Sequence, residues 1–305
     1  MSSFANLKRN SGNLEKLTKA LEQISTNSGD SSEDNFWKPE VDKAGNGYAV
    51  IRFLPSPPAD GDDGLPWAKI YTHGFQGPGG WFIENSLTTL NEKDPVSEYN
   101  SELWNSDIPA NKEIARKQKR RLTYISNILV VEDPKHPENN GQVKLFKFGK
   151  KIFDKITEAM NPAFEDEKPI NPFDMWAGAN FKLKIRKVEG YQNYDKSEFD
   201  SPSAIEGDDS DLEEIWQKEY SLKEFLDRKH FKTYDELKTR LNKVLGVAGT
   251  TSTAPKNTTI ESVKSAPVRE DKPVENQKAV DIDVPWTEDE DDSALDYFAS
   301  LANED

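Results

Sequence analysis

Apolar and polar residues alternate along several short segments in the middle of this chain. The clearest is residues 180–188, in which three apolar side chains alternate with three basic ones. Because successive side chains of a strand point to opposite faces, this pattern predicts a strand with one buried face. Further strands are predicted at residues 48–54, 68–75, 81–84, 124–131 and 142–148. The segment 77–80, with three glycines and a proline, predicts a turn between the second and third of these strands.

A different spacing, with apolar residues three or four positions apart, predicts helices. Four apolar residues spaced in this way predict a helix over 150–160, and two more helices are predicted over 211–229 and 234–245. Gly246 follows the last of these in the position of a C-terminal cap. Two stretches fit neither pattern and are expected to be irregular: 85–111, and a loop with two tyrosines at 190–194.

Together these elements predict an α+β fold. Short strands broken by loops, with helices appended, are typical of an oligonucleotide-binding (OB) β-barrel. We expect such a core over 31–245, with a small subdomain at about 68–111. Residues 1–30 are expected to form an N-terminal arm with one helix, docked either on its own core or on a neighbouring copy. The composition predicts a flexible linker over 246–279 and a disordered acidic tail over 280–305.

Charge is distributed unevenly along the chain. The net charge is −15, yet residues 112–155 contain twelve basic and five acidic side chains, a local net charge of +7. No Lys or Arg follows Lys278, and the residues after it carry ten negative charges. The basic segment therefore predicts a polyanionic partner. The tail, whose tip combines aromatic residues and leucines, predicts a protein partner, with a merely solubilising role as the alternative.

Aromatic residues accompany the basic ones in this segment. Lys144, Phe146 and Phe148 share one face of the predicted strand 142–148. A single-stranded nucleic acid needs cations for its phosphates and flat rings for its unpaired bases, so this combination favours single-strand binding. The alternative is a solvated basic hairpin whose rings belong to the core.

Several kinds of chemistry are excluded or lack support. The chain contains no cysteine, which excludes disulfides, thiolate metal sites and cysteine nucleophiles and fits a reducing, cytosolic setting. Its three histidines lie far apart, and no phosphate-binding glycine motif is present. No apolar run approaches the length of a membrane span, and no signal peptide is recognisable. We therefore expect a cytoplasmic protein that is not an enzyme.

A group of local motifs resembles one known family. The motifs are Ala44-Gly-Asn-Gly47, Ala49-Val-Ile-Arg-Phe-Leu-Pro55, Asn127-Ile-Leu-Val-Val131, Asp133-Pro134, Pro137-Glu-Asn139, Phe148-Gly-Lys-Lys-Ile152 and Asn193-Tyr-Asp195. They are similar to those of the single-stranded-DNA-binding (helix-destabilising) protein of T-even-like bacteriophages. The resemblance runs from the N-terminal arm to about Leu245, and the block 127–152 is its most specific part.

The resemblance implies an OB core that holds single-stranded DNA in a basic cleft lined by aromatic side chains. The matching positions are Arg52, Lys119, Arg120, Arg121, Tyr124, Phe146, Lys147, Tyr191 and Tyr194, with Tyr99 and Trp104 in a more loosely aligned stretch. Lys144, Lys150 and Lys151 of the basic segment complete the candidate DNA-binding set.

The resemblance also implies partners at the two ends of the chain. The arm motif of the family, basic residues followed by Ser or Thr, is represented by Lys8, Arg9, Asn10 and Ser11. It implies cooperative self-association along DNA. The acidic tail implies contacts with replication and recombination proteins, and it implies coverage of the cleft when DNA is absent.

In one respect the sequence departs from the family, whose members bind structural zinc through one histidine and three cysteines. Here the matching positions are His73, Ser86, Asp94 and Ser97. Because zinc sites require Cys or His in a tetrahedral array, we expect neither zinc nor any other cofactor. The subdomain at about 68–111 is then expected to be held by packing through Trp81, Phe82 and Trp104.

The sequence thus predicts a sequence-tolerant, cooperative binder that coats and protects single-stranded DNA in phage replication, recombination and repair. Two alternatives remain open. One is a Mg²⁺-dependent nuclease that uses paired carboxylates of the tail. The other is an adaptor that acts through its tail while the core binds RNA or nothing.

Overall fold

The computed structural model describes residues 35–164, 166–188 and 190–247. The predicted arm, nearly all of the predicted linker and the acidic tail lie outside these residues. The chain divides into two compact units, Met1–Trp37 and Lys38–Asp305. In the first unit the described part contains one two-residue strand, β1 (Phe36–Trp37). All further elements belong to the second unit.

Antiparallel strands form the centre of the second unit. They are β2 (Gly47–Phe53), β3 (Ala68–Gly77), β4 (Gly80–Asn85), β5 (Arg121–Glu132), β6 (Val143–Phe148), β7 (Phe181–Val188), β8 (Tyr191–Asn193) and β9 (Glu198–Phe199). All the strands predicted from the sequence are confirmed, and so is the turn at 77–80, which joins β3 to β4. The loop predicted at 190–194 is wrong, because β8 forms there and pairs with β7.

β5 is the strand that the others share. Its first residues pair with β3, its middle with β6 and its last with β2. Tyr124 consequently lies opposite both Lys69 of β3 and Phe148 of β6. β2 continues the sheet to β7, which pairs with β8 and β9. Twelve extended residues span about 40 Å, which is long enough for three partners in succession.

One face of the sheet forms an aromatic core. Phe53 of β2 lies opposite Ile128 of β5. Its ring centroid is 5.6 Å from that of Phe148 and 5.8 Å from those of Phe173 and Phe181. Such edge and tilted contacts add roughly 0.5–1.5 kcal/mol per pair to the burial of the rings. Because the rings come from four separate segments, the core ties distant parts of the sequence together.

The opposite face of the sheet is covered by α4 (Asp209–Gln217) and by the segment before it. Leu54 and Leu129 pack there against Met175 and Leu212. The sheet is therefore buried on both faces around β5. This double burial explains why eight successive residues of β5 are buried and why its sequence does not alternate.

Five α-helices lie within the described ranges. They are α1 (Pro95–Asn105), α2 (Pro109–Lys117), α3 (Lys150–Met160), α4 and α5 (Tyr234–Val244). α3 and α5 confirm the helices predicted at 150–160 and 234–245. Gly246 has the positive φ of 74° that its predicted capping position requires. In the described part of the chain, none of the helices is long and apolar enough to cross a membrane.

The prediction that residues 85–111 are irregular is wrong, because the stretch contains α1 and α2. Asp94 caps α1, its carboxylate accepting two backbone N–H groups of the first turn, and Pro95 occupies the first helical position. α2 likewise begins with a proline, Pro109. These two proline starts, one preceded by a capping Asp, were the sequence signal for both helices.

The helix predicted over 211–229 is shorter than expected, because α4 ends at Gln217. The reason lies in β5, where Asn127 donates Nδ2–H to the carbonyl oxygen of Tyr220 at 2.8 Å. The N–H of Tyr220 donates in return to Oδ1 of Asn127 at 3.0 Å. These bonds occupy both backbone groups that a continuing helix would use.

The β3–β4 hairpin, α1 and α5 share a second hydrophobic core, so the packing of the stretch 68–111 includes a helix from the C-terminal part of the described chain. Phe75 and Phe82 stack with centroids 5.2 Å apart and pack against the apolar face of α5. At the hairpin tip, a Cβ on Gly79 would lie only 2.0 Å from the carbonyl oxygen of Lys243. The close approach of hairpin and helix therefore requires glycine there. Of the three aromatic residues expected to pack the stretch 68–111, Phe82 belongs to this core.

In the sequence between α4 and α5, one buried carboxyl group has no hydrogen-bond partner. Glu219 is buried, and neither of its carboxyl oxygens has a partner. Its burial, together with the charge of Asp60, raises the pKa of Glu219 to about 9. Asp60 itself accepts hydrogen bonds from Ser221 Oγ at 2.5 Å and from the N–H of Leu222 at 2.9 Å. The folded protein thus keeps a proton on Glu219 that the unfolded chain has released at neutral pH.

Glu219→Gln is expected to stabilise the protein, because a glutamine needs no proton to stay neutral when buried. Since the folded-state pKa is raised, the stability of the wild type falls as pH rises from about 4.5 to about 9. At pH 7 this amounts to about 3 kcal/mol. In urea unfolding, the advantage of the variant over the wild type should grow with pH across this window.

Glu214→Gln is the matched control, because Glu214 is exposed on α4 and pairs with Lys218 at 2.7 Å. This variant should show no stability gain that grows with pH. A pH-independent difference between Glu219→Gln and the wild type would contradict the assignment of a protonated Glu219.

Candidate nucleic-acid interface

The basic segment enters the sheet at the junction of α2 and β5. Lys119, Arg120 and Arg121 occupy this junction, and each is half-buried. The junction is fixed by Asn100 of α1, whose Nδ2–H donates to the carbonyl oxygen of Gln118 at 2.8 Å. Three successive cations are thereby held at a defined place on the surface.

Trp104 of α1, one of the predicted residues, lies beside two cations of α2. Lys112 Nζ is 5.6 Å and Arg116 Cζ is 5.5 Å from the ring centroid. Such contacts contribute about 0.5–1 kcal/mol each at exposed sites. The combination of a ring with two cations is the one expected of a contact for single-stranded nucleic acid. The basic segment and the tryptophan were predicted separately, and the α1–α2 pair brings them together.

A second ring in the same arrangement was missed by the sequence analysis. Tyr71 of β3 has Arg120 Cζ 4.1 Å and Lys69 Nζ 5.0 Å from its ring centroid. β3 brings this ring to the basic junction by pairing with the start of β5, where Tyr71 lies opposite Leu122. Lys69 and Tyr71 share one face of a predicted strand, which is only weak evidence for a binding site. The sequence of a strand does not show which strand it will pair with, so the position of Arg120 beside Tyr71 could not be predicted.

Two rings that were predicted to stack on bases lie inside the protein. Tyr124 is 6% exposed and Phe146 is 4% exposed. They belong to a ladder of stacked rings, with centroid distances of 5.4 Å from Phe146 to Phe148, 5.8 Å from Phe148 to Tyr124 and 3.9 Å from Tyr124 to Phe153. This geometry agrees with the alternative in which the rings of the hairpin belong to the core. Their stacking on DNA bases stays a prediction.

Arg52 is also inside the protein, with 0% of its surface exposed. Its Nη2 donates to the carbonyl oxygens of Asp174 and Ser203, both at 2.8 Å, and its Nη1 donates to Asn180 Oδ1 at 3.3 Å. Burial lowers the pKa of Arg52, and the charge of Asp174 opposes this effect. In this structure the side chain holds two loops against β2. A phosphate contact of Arg52 stays a prediction, and it would require those loops to move.

The predicted lysines of β6 and α3 reach the surface. Lys147 is exposed, whereas Lys144 and Lys151 are half-buried. Lys150 pairs with Asp154, one helical turn away, at 2.8 Å. Exposed ion pairs of this kind contribute roughly 0–1 kcal/mol. A phosphate can therefore compete with Asp154 for Lys150.

The remaining predicted tyrosines differ in how much of each ring is accessible. Tyr191 of β8 is 60% exposed. Tyr194 is half-buried and donates its hydroxyl to Gln192 Oε1 at 3.1 Å. Tyr99 of α1 packs against the core that α5 shares with the β3–β4 hairpin. Of these three, Tyr191 offers most surface to a base.

The second basic stretch of the chain, the outer face of β7, is neutralised by acidic partners. The pairs are Lys182 with Asp200 at 2.7 Å, Lys184 with Glu198 at 2.7 Å, and Arg186 with Asp195. Each carboxylate comes from β9 or from the loop beside it. This face is therefore an ion-pair row, and the junction of α2 and β5 remains the better candidate for an anion.

The four positions that match the zinc ligands of the family converge on one carboxylate. Asp94 Oδ1 accepts from His73 Nε2 at 3.1 Å and from the N–H groups of Val96 and Ser97 at 3.0 and 2.9 Å, and Oδ2 accepts from Ser86 Oγ and the N–H of Leu87, both at 3.0 Å. Burial by itself would raise the pKa of Asp94. The bond and charge of His73, together with the backbone N–H groups, outweigh burial and hold the pKa below its ordinary value of 3.8.

This set of donors does not fit a zinc ion. Structural zinc sites use Cys and His, whereas here one imidazole, one carboxylate and two hydroxyls are present. Both oxygens of Asp94 already accept hydrogen bonds, and three of the donors are backbone N–H groups. Within the described ranges, no group of three or more His, Asp or Glu residues is placed to hold a metal ion. The cluster is a hydrogen-bonded one, centred on an anion.

Comparison with known proteins identifies the family. A family model described as "gp32 DNA binding protein like" matches residues 45–245. The chain belongs to this family. It is 41% identical over 252 residues to the single-stranded DNA-binding protein of Enterobacteria phage T4. The aligned region covers 79% of this chain and 81% of that protein. The corresponding protein of Enterobacteria phage T2 is 42% identical over 253 residues, with coverage of 79% and 82%.

The resemblance inferred from local motifs is thereby confirmed. The gp32-like region contains both hydrophobic cores, the Asp94 cluster and the junction of α2 and β5. Every candidate DNA-binding residue from Arg52 to Tyr194 falls within it. The arm residues Lys8 to Ser11 lie before this region and outside the described residues.

Asp94→Asn is expected to lower the free energy of unfolding by about 3–5 kcal/mol, because it removes the charge paired with His73 and replaces one accepting oxygen with an NH2 group that cannot accept from the donors on its side. Urea unfolding at pH 7 measures this loss. Glu102→Gln removes an exposed charge from the same helix and should change stability by about 0.5 kcal/mol or less. Prolonged treatment of the wild type with a zinc chelator should leave its stability unchanged. A large loss on chelation would contradict a cluster held by hydrogen bonds alone.

Proposed function

We propose that this protein binds single-stranded DNA without sequence preference and coats it during phage DNA replication, recombination and repair. The relatives from phages T4 and T2 are named for single-stranded DNA binding, and the chain covers more than four fifths of each. The observation that carries the proposal is that cations of α2 and of the junction of α2 and β5 lie beside the rings of Trp104 and Tyr71. The predicted residues of the candidate set are proposed as its contacts.

The proposed binding divides into two tasks. Cations such as Lys119, Arg121 and Lys147 neutralise phosphates, and each contact adds about −0.7 to the slope of log affinity against log salt. Accessible rings such as Trp104 and Tyr191 stack on bases, at about 1–3 kcal/mol per base. Because neither task requires hydrogen bonds to base edges, the proposed binding is tolerant of sequence.

We assign the sheet to an OB fold as part of this proposal. An OB fold is a partly open Greek-key barrel of five antiparallel strands. In support, all of the pairings of β2 to β7 are antiparallel, and β5 is long enough to serve three partners. α3 lies between β6 and β7 in the sequence. The β3–β4 hairpin with α1, α2 and α5 is then the appended subdomain.

The proposal assigns no catalytic step and no cofactor to the chain. The positions that match zinc ligands are engaged in the Asp94 cluster, whose donor set does not fit the metal. The paired carboxylates that a nuclease would use belong to the tail, outside the described residues. Nuclease and adaptor therefore remain alternatives that the binding experiment tests directly.

The proposal extends to both ends of the chain, which lie outside the described residues. The arm, with Lys8, Arg9, Asn10 and Ser11, is proposed to join neighbouring copies along DNA. The tail over 280–305 is proposed to bind replication and recombination proteins and to compete with DNA as a tethered polyanion.

Binding to labelled single-stranded DNA, single-stranded RNA and duplex DNA, over a range of salt and with Mg²⁺ present, tests the proposal. We expect tight binding to the DNA single strand, weak binding to the duplex, a negative salt slope and an intact strand on a denaturing gel. Cleavage of the strand would favour the nuclease. Binding to RNA alone, or to none of the three, would favour the adaptor.

Deletion of residues 280–305 is expected to tighten single-strand binding, most of all at low salt, because the proposed competition is electrostatic and salt screens it. Affinity measured over a salt series checks this outcome. A matched variant keeps the length of the tail but replaces its ten acidic residues with Asn or Gln, and it should behave like the deletion. Equal affinities of all three proteins at every salt concentration would contradict the competition.

A further inference from the structure

The ring of Tyr71 has two cations beside it, and of these three residues only Arg120 belongs to the contacts proposed so far. Arg120 Cζ lies 4.1 Å and Lys69 Nζ lies 5.0 Å from the ring centroid. Lys69 is exposed, and both Tyr71 and Arg120 are half-buried. Two cations and a partly accessible ring therefore meet on one small surface of β3.

One cation, Lys69, lies on β3, and the other, Arg120, immediately precedes β5. Lys69 lies opposite Tyr124, and Tyr71 lies opposite Leu122, one residue into β5. Residues directly opposite in an antiparallel pair project to the same face, so Lys69 and Tyr71 share a face with this end of β5. Two like charges beside one ring repel each other, and an anion held between them would relieve that repulsion.

The backbone of Tyr71 is held in place by the turn that contains the Asp94 cluster. The N–H of Tyr71 donates to Thr89 Oγ1 at 2.8 Å, and its carbonyl oxygen accepts from the N–H of Ser86 at 2.8 Å. Ser86 in turn donates its hydroxyl to Asp94. A ring on a backbone fixed from both sides is preorganised, which reduces the entropy lost on binding.

We propose that Tyr71, Lys69 and Arg120 form a nucleotide subsite for single-stranded DNA, with the base stacked on the ring and the neighbouring phosphate between the two cations. This inference rests on the proposed single-strand binding. It supplies an accessible ring at the basic junction, where the rings of Tyr124 and Phe146 are covered by other rings. It also extends the binding surface from β5 to β3.

Tyr71→Ala tests the subsite in binding to an oligothymidylate and to a wholly abasic strand of the same length. Loss of one stacked base should weaken binding to the oligothymidylate by about 5-fold to 100-fold. Binding to the abasic strand should change far less, because no base is there to stack. A loss of equal size on both strands would mean that Tyr71 only supports the fold, and it would overturn the subsite.

Further variants separate ring, charge and folding. Tyr71→Phe keeps the ring and should bind like the wild type, whereas Tyr71→Leu keeps the bulk without a ring and should lose affinity like Tyr71→Ala. Lys69→Gln should reduce the salt slope by about 0.7. Tyr48→Ala removes a tyrosine that is 40% exposed on β2 and should leave affinity unchanged.

The outcomes distinguish this inference from the function on which it rests. If the wild type binds the oligothymidylate and Tyr71→Leu binds it equally well, the subsite is wrong while the proposed function stands. If the wild type does not bind single-stranded DNA at all, the proposed function fails and the subsite fails with it.

Discussion

The backbone of β5 is the constraint on which the rest of this structure depends. Buried N–H and C=O groups must find partners, and β5 satisfies its own by pairing with β3, β6 and β2 in succession. Its first residues consequently carry the basic junction to the side of β3, while its last residues close the aromatic core around Phe53. The candidate interface exists because one strand is long enough to serve several neighbours.

Two buried carboxyl groups show how hydrogen-bond donors decide whether a carboxyl group is charged or protonated. Asp94 collects five donors, so its charge is retained and organises the turn beneath the β3–β4 hairpin. Glu219 collects none, so burial drives it toward the protonated form. The hydrogen bonds of the first group connect the β3–β4 hairpin to the start of α1.

Sequence patterns predicted an element best where the residues of that element alone were sufficient to identify it. α3 follows from four apolar residues at helical spacing, and the β3–β4 hairpin follows from its glycine-rich turn. The helices that begin within 85–111 were not predicted, because they are polar and lack a clear apolar periodicity. Their only sequence signal was the proline at the first position of each helix, preceded in one case by a capping Asp. Among the candidate residues, the cations 119–121 lie together at the α2–β5 junction, whereas Tyr124 and Phe146 are buried because both faces of the sheet are covered around β5.

By itself, the sequence determined six of the strands, β2 to β7, the segregation of charge between a basic middle and an acidic end, and the family. These properties depend on local spacing and composition, which the amino-acid sequence contains directly. Only the tertiary structure decided which rings face solvent, that Arg52 holds loops, that Asp94 gathers its donors, and that Tyr71 lies beside Arg120. Each of these depends on contacts between residues far apart in sequence, and strand pairing and packing alone create such contacts.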